Sequence, residues 1–184
     1  MKTTALGMTA LSAGRVFGAN ERVNVGIIGF GLIGQVHTHS FKEQEDVEIR
    51  GVSDAYAPRM DQCAESIGSR CAKFGDFRRM LESKDVDAVV VATPDHWHAL
   101  MTMMACAAGK DVYVEKPLTL FQREGRWMIE VAKRTKRVVQ VGVQNRSGPN
   151  FQRAGERLRS GRIGQIVSVQ NTFMRNVSPG FGKP

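Results

Sequence analysis

The sequence predicts an α/β fold, a doubly wound parallel sheet with helices on both faces, followed by the start of a truncated second α+β domain. Three observations carry this expectation. Strand-like and helix-like segments alternate from residue 22 to about residue 147, joined by connections of a few residues. The clearest strand, "VDAVVVATP", is an apolar run without alternation, as a parallel strand covered on both faces requires. The last strand-like stretch, "QIVSVQNTFMRN", instead alternates Val167 and Val169 with polar neighbours, the pattern of a half-exposed strand in a different kind of sheet.

The first element, "RVNVGIIGFG", is a short β-branched run ending in glycines and reads as a buried strand, with a helix opening after Gly34. "VEIRGVSD" is the second strand. "APRMDQCAESIG" is a helix with Pro58 early and Gly68 past its end. "RCAKF" is a short strand, and Asp76 starts the short helix "DFRRMLES". After "VDAVVVATP" come the helix "DHWHALMTMMACAAG", the strand "DVYVEKP", the helix "REGRWMIEVAKRT" and the strand "RVVQVGVQN". Thr119 and Gln122 fit a capping box for the helix after "EKP". "NFQRAGERLRSGRIG" is a further helix that leads to the alternating strand.

At 184 residues the chain is long enough for one α/β domain with a proper core and short for two. Hydrophobic residues make up 42% and charged residues 24%, a globular profile, and no apolar run approaches the ~20 residues that span a bilayer. The net charge of +8 is uneven. Residues 1–122 hold 13 basic and 15 acidic side chains, whereas residues 123–184 hold 13 basic ones against Glu124, Glu130 and Glu156. Those arginines are scattered round helices with few aromatics, which argues for a solvated face or an acidic partner domain and against nucleic acid. Cys63, Cys71 and Cys106 form no C-x-x-C, have apolar neighbours and read as small core residues. Residues 1–21 are mildly apolar, acid-poor until Glu21, and similar to the later part of a secretory signal, so they stand outside the fold argument.

Chemistry concentrates in four places. The first is "GFGLIG", Gly29-x-Gly31-x-x-Gly34, lying between the first strand and the first helix. The first glycine allows the tight turn, the second lets a pyrophosphate approach the backbone, and the third lets helix and strand pack closely. Phe30, Leu32 and Ile33 fill the intervening positions and belong to the same loop. The helix N-terminus presents free N–H groups to phosphate. The second place is Asp54, at the end of the second strand, where a carboxylate grips ribose hydroxyls and repels a 2′-phosphate. NAD is therefore expected over NADP, and Arg59, five residues on, is the side chain that would partner a 2′-phosphate.

The histidines are the third. His37 and His39 lie two apart on a helix and point to nearly opposite sides, so they cannot chelate one ion. His96 and His98 come just after the carboxyl end of "VDAVVVAT", where ligands of open parallel sheets lie, and are expected to border the cofactor with Thr93 and Pro94. No metal site is expected. The fourth is Lys116, at the end of "VYVEKP" and before a proline. A lysine there can orient a substrate hydroxyl, stabilise a developing oxyanion or join a proton relay; a solvated turn lysine fits the spacing equally well.

The segments "VGIIGFGLIGQVH", "VSDA", "VDAVVVATPDHWHA", "VEKPLTL" and "VQVGVQNR" occur in the order of the glucose–fructose oxidoreductase/inositol 2-dehydrogenase/MocA family, and residues 23–146 resemble the N-terminal half of its members. "EKP" downstream of "ATPDHWH" is the most specific pair. The resemblance implies residues 22–147 as a Rossmann domain binding NAD or, less readily, NADP, and residues 148–184 as a connecting helix and first strand of the second domain. It implies that Lys116 is the catalytic candidate, that Glu115 lies near the nicotinamide ribose, that Thr93, Pro94 and His98 line the cofactor's path, and that Gln144 and Asn145 approach the nicotinamide. Asp95 stands where many members carry Asn.

By activity, the resemblance implies an NAD(P)-dependent oxidoreductase of a sugar, sugar alcohol or derivative, present as a fragment. Members draw a catalytic histidine from the second domain, beyond this chain's last residue, so the chain alone is not expected to turn over substrate. The alternatives are an NAD-dependent glycoside hydrolase of the same family and a non-catalytic nucleotide-binding fragment. Partners are expected to be a small carbohydrate-like substrate and a second copy through the second domain, with no nucleic acid and no membrane span. Exported members carry twin-arginine signals; the Arg pair is absent here, so the chain is periplasmic if residues 1–21 are the remnant of such a signal and cytoplasmic otherwise.

Overall fold

A computed structural model describes residues 22–172 of the chain. The possible signal remnant, residues 1–21, and Phe173 onward lie outside the described residues. The elements alternate as the periodicity predicts: β1 (Val23–Ile28), α1 (Leu32–Lys42), β2 (Val47–Ser53), α2 (Ala57–Ile67), β3 (Ala72–Phe74), α3 (Phe77–Glu82), β4 (Ala88–Val91), α4 (Asp95–Ala107), β5 (Asp111–Glu115), α5 (Gln122–Thr135), β6 (Val139–Gly142) and α6 (Pro149–Arg159). A 3-10 turn over Gln144–Ser147 precedes α6.

The six strands lie in the order β3-β2-β1-β4-β5-β6. β1 pairs in parallel with both β2 and β4, β2 with β3, and β4 with β5. The order reverses between β1 and β4, which is the switch point where open α/β sheets bind ligands. The strand-to-strand crossovers need helices, and the helices cover both faces, so the central strands must be apolar on both sides. Val89 and Val91 join Val112, Val114, Met80 and Ala105 in one core, while Val90 joins Val25, Ile27, Ile49, Val52 and Cys63 in the other. That division is why "AVVV" shows no alternation. Each fully buried aliphatic side chain contributes about 1.5–3 kcal/mol, and Ile27 is 0% exposed.

Helix ends obey local chemistry. Asp76 caps α3, its carboxylate accepting from Arg78 N at 2.9 Å. The Thr119–Gln122 capping box expected at α5 does not form. Instead Glu124 Oε2 accepts from the backbone N–H groups of Leu120 and Phe121 at 2.9 and 3.0 Å. Phe121, the residue at the cap, has no acceptor to return, so only the carboxylate half of a box is present.

Three sequence expectations near the end of the described chain are corrected. The strand expected over 137–145 stops at Gly142, and Gln144 and Asn145 lie on the 3-10 turn. The helix expected over 150–164 stops at Arg159, where Gly161 and Gly164 take φ of +71° and +74°, conformations that end a helix. The alternating strand expected from Gln165 is not formed in its described part, 165–172. A strand needs a neighbour to take its N–H and C=O groups, and none pairs with it among the described residues; Val167 and Val169 stand 89% and 84% exposed. The chain divides into two compact units, 1–141 and 142–184. No helix among the described residues is long and apolar enough to cross a membrane.

Candidate functional site

The site is built at the carboxyl ends of β1, β2, β4 and β5. β1 ends at Ile28 and the chain turns through Gly29 to Gly31 before α1 begins. Gly29 has φ +90°, and a Cβ there would lie 2.7 Å from Ala92 O, because this turn is pressed against the end of β4. A Cβ on Gly34 would lie 2.1 Å from Gly29 O, so only glycine lets α1 approach its own entry turn. Gly31 differs. A Cβ there would meet nothing closer than an Arg59 guanidinium nitrogen at 3.9 Å. The backbone at Gly31 thus faces open space, and the first turn of α1 has no side-chain cap competing for its N–H groups. Exposed N–H groups at a helix N-terminus beside an open glycine fit a pyrophosphate.

Asp54 stands beside this turn. Its Oδ2 accepts from Phe30 N at 2.7 Å and its Oδ1 from Tyr56 N at 2.8 Å. The sequence could not separate ribose ligand from structural acceptor; the carboxylate does hold the loop, and each oxygen keeps a second lone pair for a hydroxyl. The Arg59 guanidinium lies over the Tyr56 ring, 5.8 Å from its centroid. Leu32 is exposed and Phe30 buried, so the loop's intervening side chains split between solvent and core; Ile33 packs on the core.

Across the crevice, Thr93, Pro94 and α4 come after β4. His96 is exposed, its ring tilted 44° to that of Trp97 with centroids 5.8 Å apart. His98, expected to border the cofactor's path, has its ring buried within the fold, the residue 1% exposed. Its Nε2 lies 2.7 Å from Thr93 O and its Nδ1 2.6 Å from Pro117 O. The ring thus spans the Thr93 and Pro117 carbonyls and joins the loop after β4 to the turn after β5.

Glu115, expected near the nicotinamide ribose, lies at the end of β5. It is 2% exposed. His37 Nε2 donates to its Oε1 at 2.7 Å, and Lys116 N donates to its Oε2 at 3.0 Å. The Tyr113 ring meets His37 edge-on at 5.0 Å, and burial, with the Glu115 charge adding to it, pushes the Tyr113 phenol above its usual range. Sequence reasoning misses His37. Its signal is the buried stripe Gly34–His37–Thr38, at i, i+3 and i+4 on α1. His39, two residues on, is exposed and pairs with Glu43 at 3.3 Å. Lys116 itself is exposed, with a cis peptide to Pro117. Gln144 and Asn145 are exposed on the 3-10 turn of the second unit. Among the described residues no group of three His, Cys, Asp or Glu could hold a metal ion.

Comparison with known proteins agrees with this geometry. Residues 23–143 match the model of a family described as an oxidoreductase family with an NAD-binding Rossmann fold. The chain is 30% identical over 143 residues to a myo-inositol 2-dehydrogenase of Thermotoga maritima, covering 78% of this chain and 42% of that protein. It is 32% identical to a scyllo-inositol 2-dehydrogenase (NAD(+)) of Bacillus subtilis, covering 80% of this chain and 43% of that one. Among solved structures, a putative myo-inositol dehydrogenase of Sinorhizobium meliloti is 31% identical with a TM-score of 0.69, over 77% of this chain and 42% of that one. The chain spans under half the length of these curated relatives.

Proposed function

The chain belongs to the Gfo/Idh/MocA family of oxidoreductases, and on that premise we propose that it supplies the dinucleotide-binding part of a dehydrogenase acting on a secondary alcohol of an inositol-like polyol or sugar. The observation that carries this reading is the open backbone at Gly31, set between the Asp54 carboxylate and the carboxyl end of β4. The activities of the inositol dehydrogenase relatives supply the substrate class.

The residues divide the work. The Gly29–Gly34 turn and the first turn of α1 hold the pyrophosphate through backbone N–H groups. Asp54 accepts from the adenosine ribose and disfavours a 2′-phosphate, which sets NAD ahead of NADP; Arg59 limits that preference by offering a phosphate partner beside Gly31. The bound nicotinamide supplies a hydride acceptor at C4. Lys116, exposed at the end of β5, orients the substrate hydroxyl and stabilises the oxygen as its proton passes to a base beside it.

The test is the melting temperature of the chain with NAD+, NADH, NADP+ and NADPH in turn. A ligand at a hundred times its Kd stabilises by about 2.7 kcal/mol, a shift of several degrees for a domain of this size. A rise with the NAD pair that exceeds the rise with the NADP pair is expected. No rise with any of the four overturns the reading.

A further inference from the structure

Glu115 presents a physical problem. A carboxylate buried at a strand end costs several kcal/mol unless its oxygens are matched. Here both are matched, one by the His37 ring from α1 and the other by the N–H of Lys116. On the other side of Lys116, the Pro117 carbonyl is held by the His98 ring from α4. The residues before and after the exposed lysine are therefore each fixed by a buried imidazole, and the two imidazoles come from different helices. Both helices start at the crevice: α1 at the glycine turn and α4 at Thr93–Pro94, where the other nitrogen of His98 also holds the Thr93 carbonyl.

We propose that His37 and His98 are positioning residues for Lys116, which pass the placement of a bound nicotinamide dinucleotide to the lysine through Glu115 and Pro117. The proposal rests on the glycine turn as the dinucleotide site and on Lys116 as the substrate-facing group. Neither histidine touches substrate. A dinucleotide seated on the first turn of α1 bears on His37 one turn further along that helix, and one seated against Thr93 bears on the carbonyl that His98 holds. Hydrogen bonds to ionised groups are short and about twice as strong as neutral ones, so the His37–Glu115 link is stiff enough to transmit a displacement.

The test labels the lysines of the chain with 13C-methyl groups and identifies the Lys116 signal by its loss in Lys116→Arg. NADH is titrated while the Lys116 signal is tracked by NMR and NADH affinity by fluorescence. The expected result is a Lys116 shift on saturation in the parent chain. That shift is lost in His37→Phe and His98→Phe, which keep a ring but no N–H, each read at its own NADH saturation. His37→Gln, whose amide can still donate to Glu115, restores the response, and His39→Gln leaves it unchanged. A response preserved in both Phe variants overturns the proposal and leaves the dinucleotide reading intact. NADH that fails to bind the parent chain overturns both. Should the Phe variants not fold, the parent chain decides: the His37 and His98 ring signals and the Lys116 signal share one NADH saturation curve, and rings that stay still while Lys116 moves overturn the proposal.

Discussion

The carboxylate of Asp54 accepts the Phe30 N–H at 2.7 Å, so the side chain proposed to discriminate between ribose and 2′-phosphate also fixes the turn proposed to take the pyrophosphate. Asp54→Ala therefore has two effects. It leaves the Phe30 and Tyr56 N–H groups without acceptors, at a cost of about 1–3 kcal/mol in urea unfolding. It also weakens NAD+ binding more than NADP+ binding. Equilibrium fluorescence with both nucleotides checks this, and an unchanged ratio of the two affinities would refute the ribose role.

The glycines separate folding from binding. Gly34→Ala drives a Cβ to 2.1 Å from Gly29 O and destabilises the domain by about 1–3 kcal/mol or more. Gly31→Ala meets no atom within 3.9 Å, so its melting temperature stays at the parent value while nucleotide affinity falls. Calorimetry and a binding titration on the two variants distinguish the effects.

Thiol chemistry tests the packing round α2 and α4. The neighbouring Cys63 thiol holds Cys71 below its usual range, while Cys63 is raised by Cys71 and then by burial. Burial, with Asp111 adding to it, raises Cys106. The thiolate is the reactive form and must be reached, and Cys71 is the least enclosed of the three, so an iodoacetamide pulse at mildly alkaline pH labels Cys71 first. Cys63 and Cys106 react only after unfolding. Peptide mass mapping reads the order, and early labelling of Cys106 would contradict the packing of α4.

Ile27 lies at the centre of the sheet with no exposed surface. Truncation to alanine leaves a cavity and costs about 2–5 kcal/mol. A smaller loss in denaturant unfolding would mean that β1 is less tightly enclosed than its position implies.

The sheet and its glycine turn are legible in the sequence because they are local patterns: an apolar run covered on both faces, and glycines at a spacing that a turn and a close approach demand. The anchoring roles of His37, Glu115 and His98 are not. Glu115 and His37 are 78 residues apart, and a strand-end carboxylate looks the same whether it faces a ribose or a buried ring. Spacing puts His98 at the loop after β4 but does not reveal its two partners, which are backbone carbonyls that carry no sequence signature. The alternation at Val167 and Val169 signals a strand, but pairing depends on a neighbour that local pattern cannot supply.

The strand order has a consequence for how the molecule opens. β1, which carries the glycine turn, and β4, which carries the opposite lip of the crevice, lie in the middle of the sheet, while the three-residue β3 and the four-residue β6 form its margins. Amide hydrogens on the margins exchange with solvent first, and those of β1 and β4 only on global unfolding. Fraying at either margin therefore leaves both lips of the crevice standing, and a protease that nicks the margins spares the crevice until the whole sheet gives way.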